Sequence, residues 1–204
     1  MVSYIHKFLF IITLLLFPLL IVSQPALTKS QFEDFANQAR RQVLVFFDSV
    51  AELGANTDQD ERIKEKAKSN VVSVFTQNGS VEERSKGAKT GTKRPIREYL
   101  QIIANRGQKA PLLISYDFVD PLTYQEFKPS TDSDGNTIYR GEMIVRQYYC
   151  KLKPKDQLSD KLDSNCLYED TTMKKITVEV RLLSSQTGKH FAVLISSISV
   201  LSVS

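Results

Sequence analysis

The chain has 204 residues, 42% hydrophobic and 25% charged, with 27 Lys and Arg against 23 Asp and Glu for a formal charge of +4. One domain is the natural expectation at this length, and there is no tandem repeat of 20 to 50 residues that would indicate a solenoid. The densest basic run, Arg84, Lys86, Lys89, Lys93, Arg94 and Arg97, is diluted by Glu82, Glu83 and Glu98; it reads as a solvated face, and nucleic acid is not an expected partner.

At the N-terminus Lys7 precedes an apolar stretch, residues 8–22, broken by Thr13 and Pro18 and ending at the small residue Ser23. That is the charge, core and cleavage-site order of a secretory signal peptide. A spanning helix needs about 20 apolar residues, and Pro18 would cost roughly 3 kcal/mol in a helix interior. The expectation is a signal peptide over 1–23, cleavage before Gln24, one domain over 24–204 and no stable membrane span afterwards. The chain is then exported, to the periplasm, the cell surface or the extracellular space. Cys150 and Cys166 would there meet an oxidising compartment that lets them pair. Closing a loop of about 15 residues is worth roughly 3 kcal/mol in the chain-entropy model. Unpaired thiols and a metal site are the rival readings, the latter without nearby His.

From Thr28 onward Phe32, Phe35, Ala39, Val43, Phe46, Val50 and Leu53 recur at three- and four-residue steps, the pattern of an amphipathic helix. Thr28 or Ser30 can cap its start and Gly54 can end it. A second helix follows Thr57, with Ile63, Ala67, Val71, Val72 and Phe75 apolar. TQNGSVEERS reads as a turn and a short strand, and Pro95 opens a third helix, IREYLQIIAN, apolar at Ile96, Leu100 and Ile103 with Tyr99 alongside.

Beyond Gly107 the period shortens to two, and four strands follow. In residues 112–119, Leu112, Ile114, Tyr116 and Phe118 share one face, with Leu113, Ser115, Asp117 and Val119 on the other. Across residues 137–151, Ile138, Arg140, Glu142, Ile144, Arg146 and Tyr148 alternate with Tyr139, Gly141, Met143, Val145, Gln147 and Tyr149. In KKITVEVRLL, Ile176, Val178, Val180 and Leu182 oppose Lys175, Thr177, Glu179 and Arg181, so one face is buried and the other wet. The last strand, residues 190–203, is apolar on both faces until Ser196 and Ser197, where a bulge or change of face is expected. Three helices followed by a mainly antiparallel sheet make an α+β domain whose helices cover one face of a curved sheet.

This order resembles the cone-shaped superfamily of nuclear transport factor, ketosteroid isomerase and the SnoaL-like enzymes. The resemblance lies in the long first helix, the short second helix leading into VFTQNGSVEERS, the helix IREYLQII and the strands around YYCK and KKITVEVRL. It extends to exported Bacteroidetes proteins of this fold, in whose recurring positions Arg62, Glu82, Glu83, Tyr99 and Leu100 stand here. Enzymes of the superfamily work in the open mouth of the cone, with an Asp or His base and a Tyr or protonated Asp at the developing oxyanion.

After cleavage only His190 remains, so the chain cannot supply a three-His metal site, and no zinc spacing, phosphate loop or nucleophile elbow is present. STDSDGNT echoes a calcium loop, but Gly135 falls before Asn136 and the hairpin signal is stronger. No cofactor or metal is expected. The candidate ligand-binding residues are Tyr116, Asp117, Arg146, Tyr148 and Arg181, which can offer hydroxyl, carboxylate and guanidinium groups at the end of the sheet. The expected role is a non-catalytic domain of the cell envelope, binding a small ligand or a protein partner, with homodimerisation through the sheet. The alternatives are an isomerase- or dehydratase-like enzyme using a carboxylate at the cone mouth, and a periplasmic subunit of an envelope or secretion assembly.

Overall fold

The computed structural model describes residues 27–55, 61–153, 165–185 and 188–204. The expected signal peptide over 1–23 and most of the segment between the cysteines lie outside the described residues. Helix α1, Lys29–Ala55, starts at a reciprocal cap: Gln31 N–H donates to Thr28 Oγ1 at 3.3 Å, and Thr28 N–H donates to Gln31 Oε1 at 2.8 Å. Two orphan amides are thereby satisfied. Its buried stripe, Phe35, Ala39, Val43, Phe46, Phe47, Val50 and Leu53, is the axis of the core. Gly54 does not end the helix. It is buried within it, and Gly107 of α3, Ile96–Lys109, packs so close that a Cβ there would stand 2.6 Å from the Leu53 carbonyl oxygen. The two glycines set the approach of the helices.

Helix α2, Glu61–Ser73, buries Lys64, Ala67 and Val71, while Ile63 is left 45% exposed. The inward stripe thus runs through 64, 67 and 71, and the Lys64 stem covers apolar surface as its ammonium faces Glu61 at 3.6 Å. Strand β1, Phe75–Glu83, follows, kinked where Gly79 lies against the Phe75 ring, and it pairs with the short β2, Thr92–Pro95, which runs directly into α3. The remaining strands are β3, Leu112–Asp120; β4, Lys128–Thr131; β5, Thr137–Leu152; β6, Cys166–Ser185; and β7, Gly188–Val203.

Their order across the sheet is β2-β1-β7-β6-β5-β3, with β4 sharing the β5 edge with β3. All pairings are antiparallel except β1 with β7. The α+β layout, three helices over one face of an unclosed, mainly antiparallel sheet, is the cone-shaped architecture expected above. Strand β7 changes face where expected: Thr177 pairs with Ser197 and Val178 with Ile195, so Ser196 is the extra residue. Val193 and Ile195 before it, and Ile198 and Val200 after it, all reach the core. Cys150 and Cys166 are joined by a disulfide. The turn between β4 and β5 has Gly135 at φ 82°, and Asp132 Oδ1 accepts the amides of Asp134 and Asn136.

Candidate active site

Register on the inner face of β5 and β6 builds the site. Tyr149 pairs with Asp170, Gln147 with Thr172, and Val145 with Lys174; on the other side Lys174 pairs with Val200 of β7. The next inner residues, Met143 and Ile176, belong to the apolar core. The inner face therefore passes from core to polar chemistry at Lys174. Above it α3 contributes Tyr99, Ile103 and Arg106, the end of β1 contributes Glu82 and Glu83, and β2 contributes Thr92 and Arg94. Together they enclose a cleft of about 470 Å³.

Lys174 is 5% exposed and, among the described residues, makes no ion pair. Its nitrogen lies 5.9 Å from the centre of the Tyr99 ring, within cation–π reach. Burial pulls its pKa down to about 8, against the opposing pull of Glu83, Asp170 and Glu82. An amine in that range exchanges protons near neutral pH.

The carboxylates around it differ in how free they are. Glu83 is clamped, accepting from Arg94 Nε at 2.9 Å on one oxygen and from Arg106 Nη1 at 2.8 Å on the other. Arg94 also bonds Glu98. Glu82 accepts the Val200 amide at 3.0 Å and Arg84 Nη2 at 3.1 Å. Burial alone would raise the Glu82 pKa, but these donors and the nearby cations bring it below the usual value. Among the described residues Asp170 accepts only from hydroxyls, Tyr168 at 2.8 Å and Thr172 at 3.3 Å. It keeps lone pairs for a further proton. Tyr99 and Tyr149 are both pushed above the ordinary phenol range, chiefly by burial, so their hydroxyls stay protonated donors. The disulfide ties the strands just beyond the Tyr149 and Asp170 pair and fixes the outer end of the ladder.

None of the five candidate ligand residues lines this cleft. Tyr116 stacks on Phe47 at 4.7 Å and donates to Asp48 at 2.7 Å; burial first, then that carboxylate, raise its pKa to about 12. Asp117, Arg146 and Tyr148 come together, but on the outer face, where Arg146 Nη1 lies 3.5 Å from Asp117 and 3.3 Å from the Tyr148 oxygen. Arg181 is on the outer face of β6, donating to Glu179 at 2.9 Å and lying 3.8 Å from Asp132. Of the residues singled out by the resemblance, Glu82, Glu83 and Tyr99 line the cleft, Leu100 is in the core behind it and Arg62 is exposed. Lys174, Asp170 and Gln147 were not among the site candidates. Their signal was parity: Lys174 and Asp170 share the face of Ile176 and Val178, and Gln147 and Tyr149 share that of Met143 and Val145.

No family model and no curated protein matches the sequence. Among solved structures the chain is similar to the epoxide hydrolase/cyclase-like enzyme SalBIII of salinomycin pyran-ring formation, at 16% identity over 80% of this chain and 89% of that one, with a TM-score of 0.34. The Kfla4162 protein of Kribbella flavida aligns at 12% identity over 83% and 95%, with a TM-score of 0.40. ActVI-ORFA of Streptomyces coelicolor aligns at 12% over 79% and 94%, with a TM-score of 0.32. Scores of this size describe general layout and assign no activity.

The expectation of a non-catalytic binding domain, and with it of no enzyme, is corrected. The cone holds an open cleft with a buried amine and a carboxylate that, among the described residues, accepts only from hydroxyls.

Proposed function

We propose that this chain is an exported enzyme of the isomerase or dehydratase kind, acting by proton transfer on a small oxygenated carbonyl compound held in the cone. The observation that carries the reading is Lys174: a buried amine at the floor of a cleft, without an ion pair among the described residues, which structural economy alone does not explain. In this reading Asp170 removes a proton from the carbon next to the carbonyl, while Lys174 and the Tyr149 hydroxyl stabilise the charge that develops on oxygen. The clamped Glu83 holds Arg94 and Arg106 in place at the rim. Return of the proton to a different carbon gives an isomerisation; its transfer to a leaving hydroxyl gives a dehydration. Export is supported by the disulfide Cys150–Cys166, which suits an oxidising compartment. Among the described residues no helix is long and apolar enough to cross a membrane. Residues 24–204 then form the working domain.

The test is α-proton exchange in D₂O, followed by NMR over a panel of β-hydroxy ketones of which 4-hydroxy-2-butanone is the smallest. Wild-type protein is expected to accelerate exchange, and Asp170→Asn to lower that rate by about 10²-fold or more. If no member of the panel exchanges faster than in buffer, or Asp170→Asn exchanges as fast as wild type, the reading fails.

A further inference from the structure

Lys174 differs from a lysine that only donates hydrogen bonds. Its nitrogen has no carboxylate within ion-pairing distance among the described residues, yet it reaches a cleft large enough for a small molecule. The residues beside it in the sheet, Val145 and Val200, are apolar, so its flanks are dry and the cleft is its polar approach. It stands near the middle of the 20-residue strand β6, bonded on both sides, which fixes its stem. The Tyr99 ring, 5.9 Å away, offers a face to a cation on this nitrogen.

From this geometry we infer that Lys174 is a nucleophile that forms an imine with an aldehyde or ketone substrate. The inference rests on the acid–base reading above and deepens it. In the step, the neutral amine of Lys174 adds to the carbonyl carbon, its proton passing to the carbonyl oxygen. The resulting carbinolamine takes up a second proton and loses that oxygen as water, leaving a protonated imine, its cation facing Tyr99. The cation withdraws electrons from the neighbouring carbon, whose proton goes to Asp170. The enamine so formed expels a β-hydroxyl, which leaves as water with the proton from Asp170. Addition of water to the protonated conjugated imine then returns the unsaturated carbonyl product, the free amine and the second proton taken up earlier. Asp170 and Lys174 lie four residues apart on one strand, about 13 Å between their α-carbons. Both side chains line the one cleft, and the step requires the Lys174 side chain to lean along the strand so that the carbon beside the imine meets the Asp170 carboxylate. The lowered basicity of the amine supplies the neutral form that attack requires.

The experiment is reductive trapping of the full chain with 4-hydroxy-2-butanone and cyanoborohydride at pH 7.5, read by peptide mass spectrometry. Lys174 is expected to gain the mass of one probe molecule less one oxygen atom, about two hundredfold faster than an exposed lysine, the ratio set by their neutral fractions. Lys174→Arg is expected to fold, as checked by its melting curve, and to lose that label. Asp170→Asn should keep the label and lose α-proton exchange. If Lys174 stays unlabelled while wild type still exchanges α-protons, the imine is wrong and the acid–base reading stands with Lys174 as a non-covalent acid. If there is neither label nor exchange, both fall.

Discussion

Strand β6 buries two charged residues, Lys174 and Glu179, and treats them in opposite ways. Glu179 is 3% exposed on the outer face, and both of its oxygens are taken: one by Arg140 at 3.1 Å, the other by Arg181 at 2.9 Å. Arg181 also faces Asp132, so the cluster holds two cations and two anions and closes on itself. Lys174, five residues earlier on the inner face, has no such partner among the described residues and opens on a cleft. A buried charge with its partners in place orders the structure. One held without them, against the cost of burial, signals a function for which the fold gives up stability.

The sharpest way to break that contrast is Lys174→Met. Because the folded-state pKa of about 8 lies below the ordinary 10.5, the unfolded chain binds the extra proton between those values, and wild-type stability rises with pH across that window. Below it the buried ammonium costs about 3 kcal/mol. Lys174→Met is therefore expected to be more stable than wild type by up to that amount at pH 7, the advantage fading as pH approaches 10.5, while α-proton exchange is lost. Urea titrations at several pH values measure this. A variant less stable than wild type at pH 7 would return Lys174 to an ordinary structural role.

Next comes the staple at the outer end of the ladder. Replacing Cys150 and Cys166 together with serine frees a link spanning 16 positions, expected to cost about 3 kcal/mol. If the disulfide also fixes the Tyr149 and Asp170 pair, exchange slows in the folded fraction as well; unchanged exchange would limit it to stability. Glu179→Gln acts oppositely to Lys174→Met. It leaves Arg140 and Arg181 without their shared carboxylate, but these are 45% and 31% exposed, so solvent limits the loss to about 2 kcal/mol. Exchange should be untouched, since no cleft residue contacts this cluster.

The same contrast explains what was legible beforehand. Alternation in 174–183 fixed which face of β6 is buried, and the apolar period marked the stripe of α1 from Phe35 to Leu53. The serines at 196 and 197 marked the bulge because two polar residues interrupt a strand otherwise apolar on both faces. The site was harder to read, since parity was followed only where it was apolar. Carried through the lysine pair, it puts Lys174 inside and Lys175 outside; carried back past Met173, it adds Thr172 and Asp170. Hydrophobicity argues against a buried lysine, and that conflict was the signal. Glu83, Arg94 and Arg106 come from three elements, and no spacing along the chain announces their meeting. Strands β2 and β4 have four residues each and owe their form to their neighbours in the sheet.

The smallest effect belongs to the outer-face cluster of Asp117, Arg146 and Tyr148. It combines the residue types that a ligand site uses, and the neighbouring carboxylate and phenol support the Arg146 charge, the Tyr148 hydrogen bond foremost. All three are nonetheless open to water: Arg146 is 39% exposed and Asp117 49%, and solvent screens a pair of this kind. Arg146→Ala is expected to leave the melting temperature, α-proton exchange and the Lys174 label at their wild-type values. A tenfold fall in either rate would mean that the outer face of β5 communicates with the cleft on its inner face. The contrast between partnered and unpartnered charge would then fail as a guide to where this protein does its chemistry.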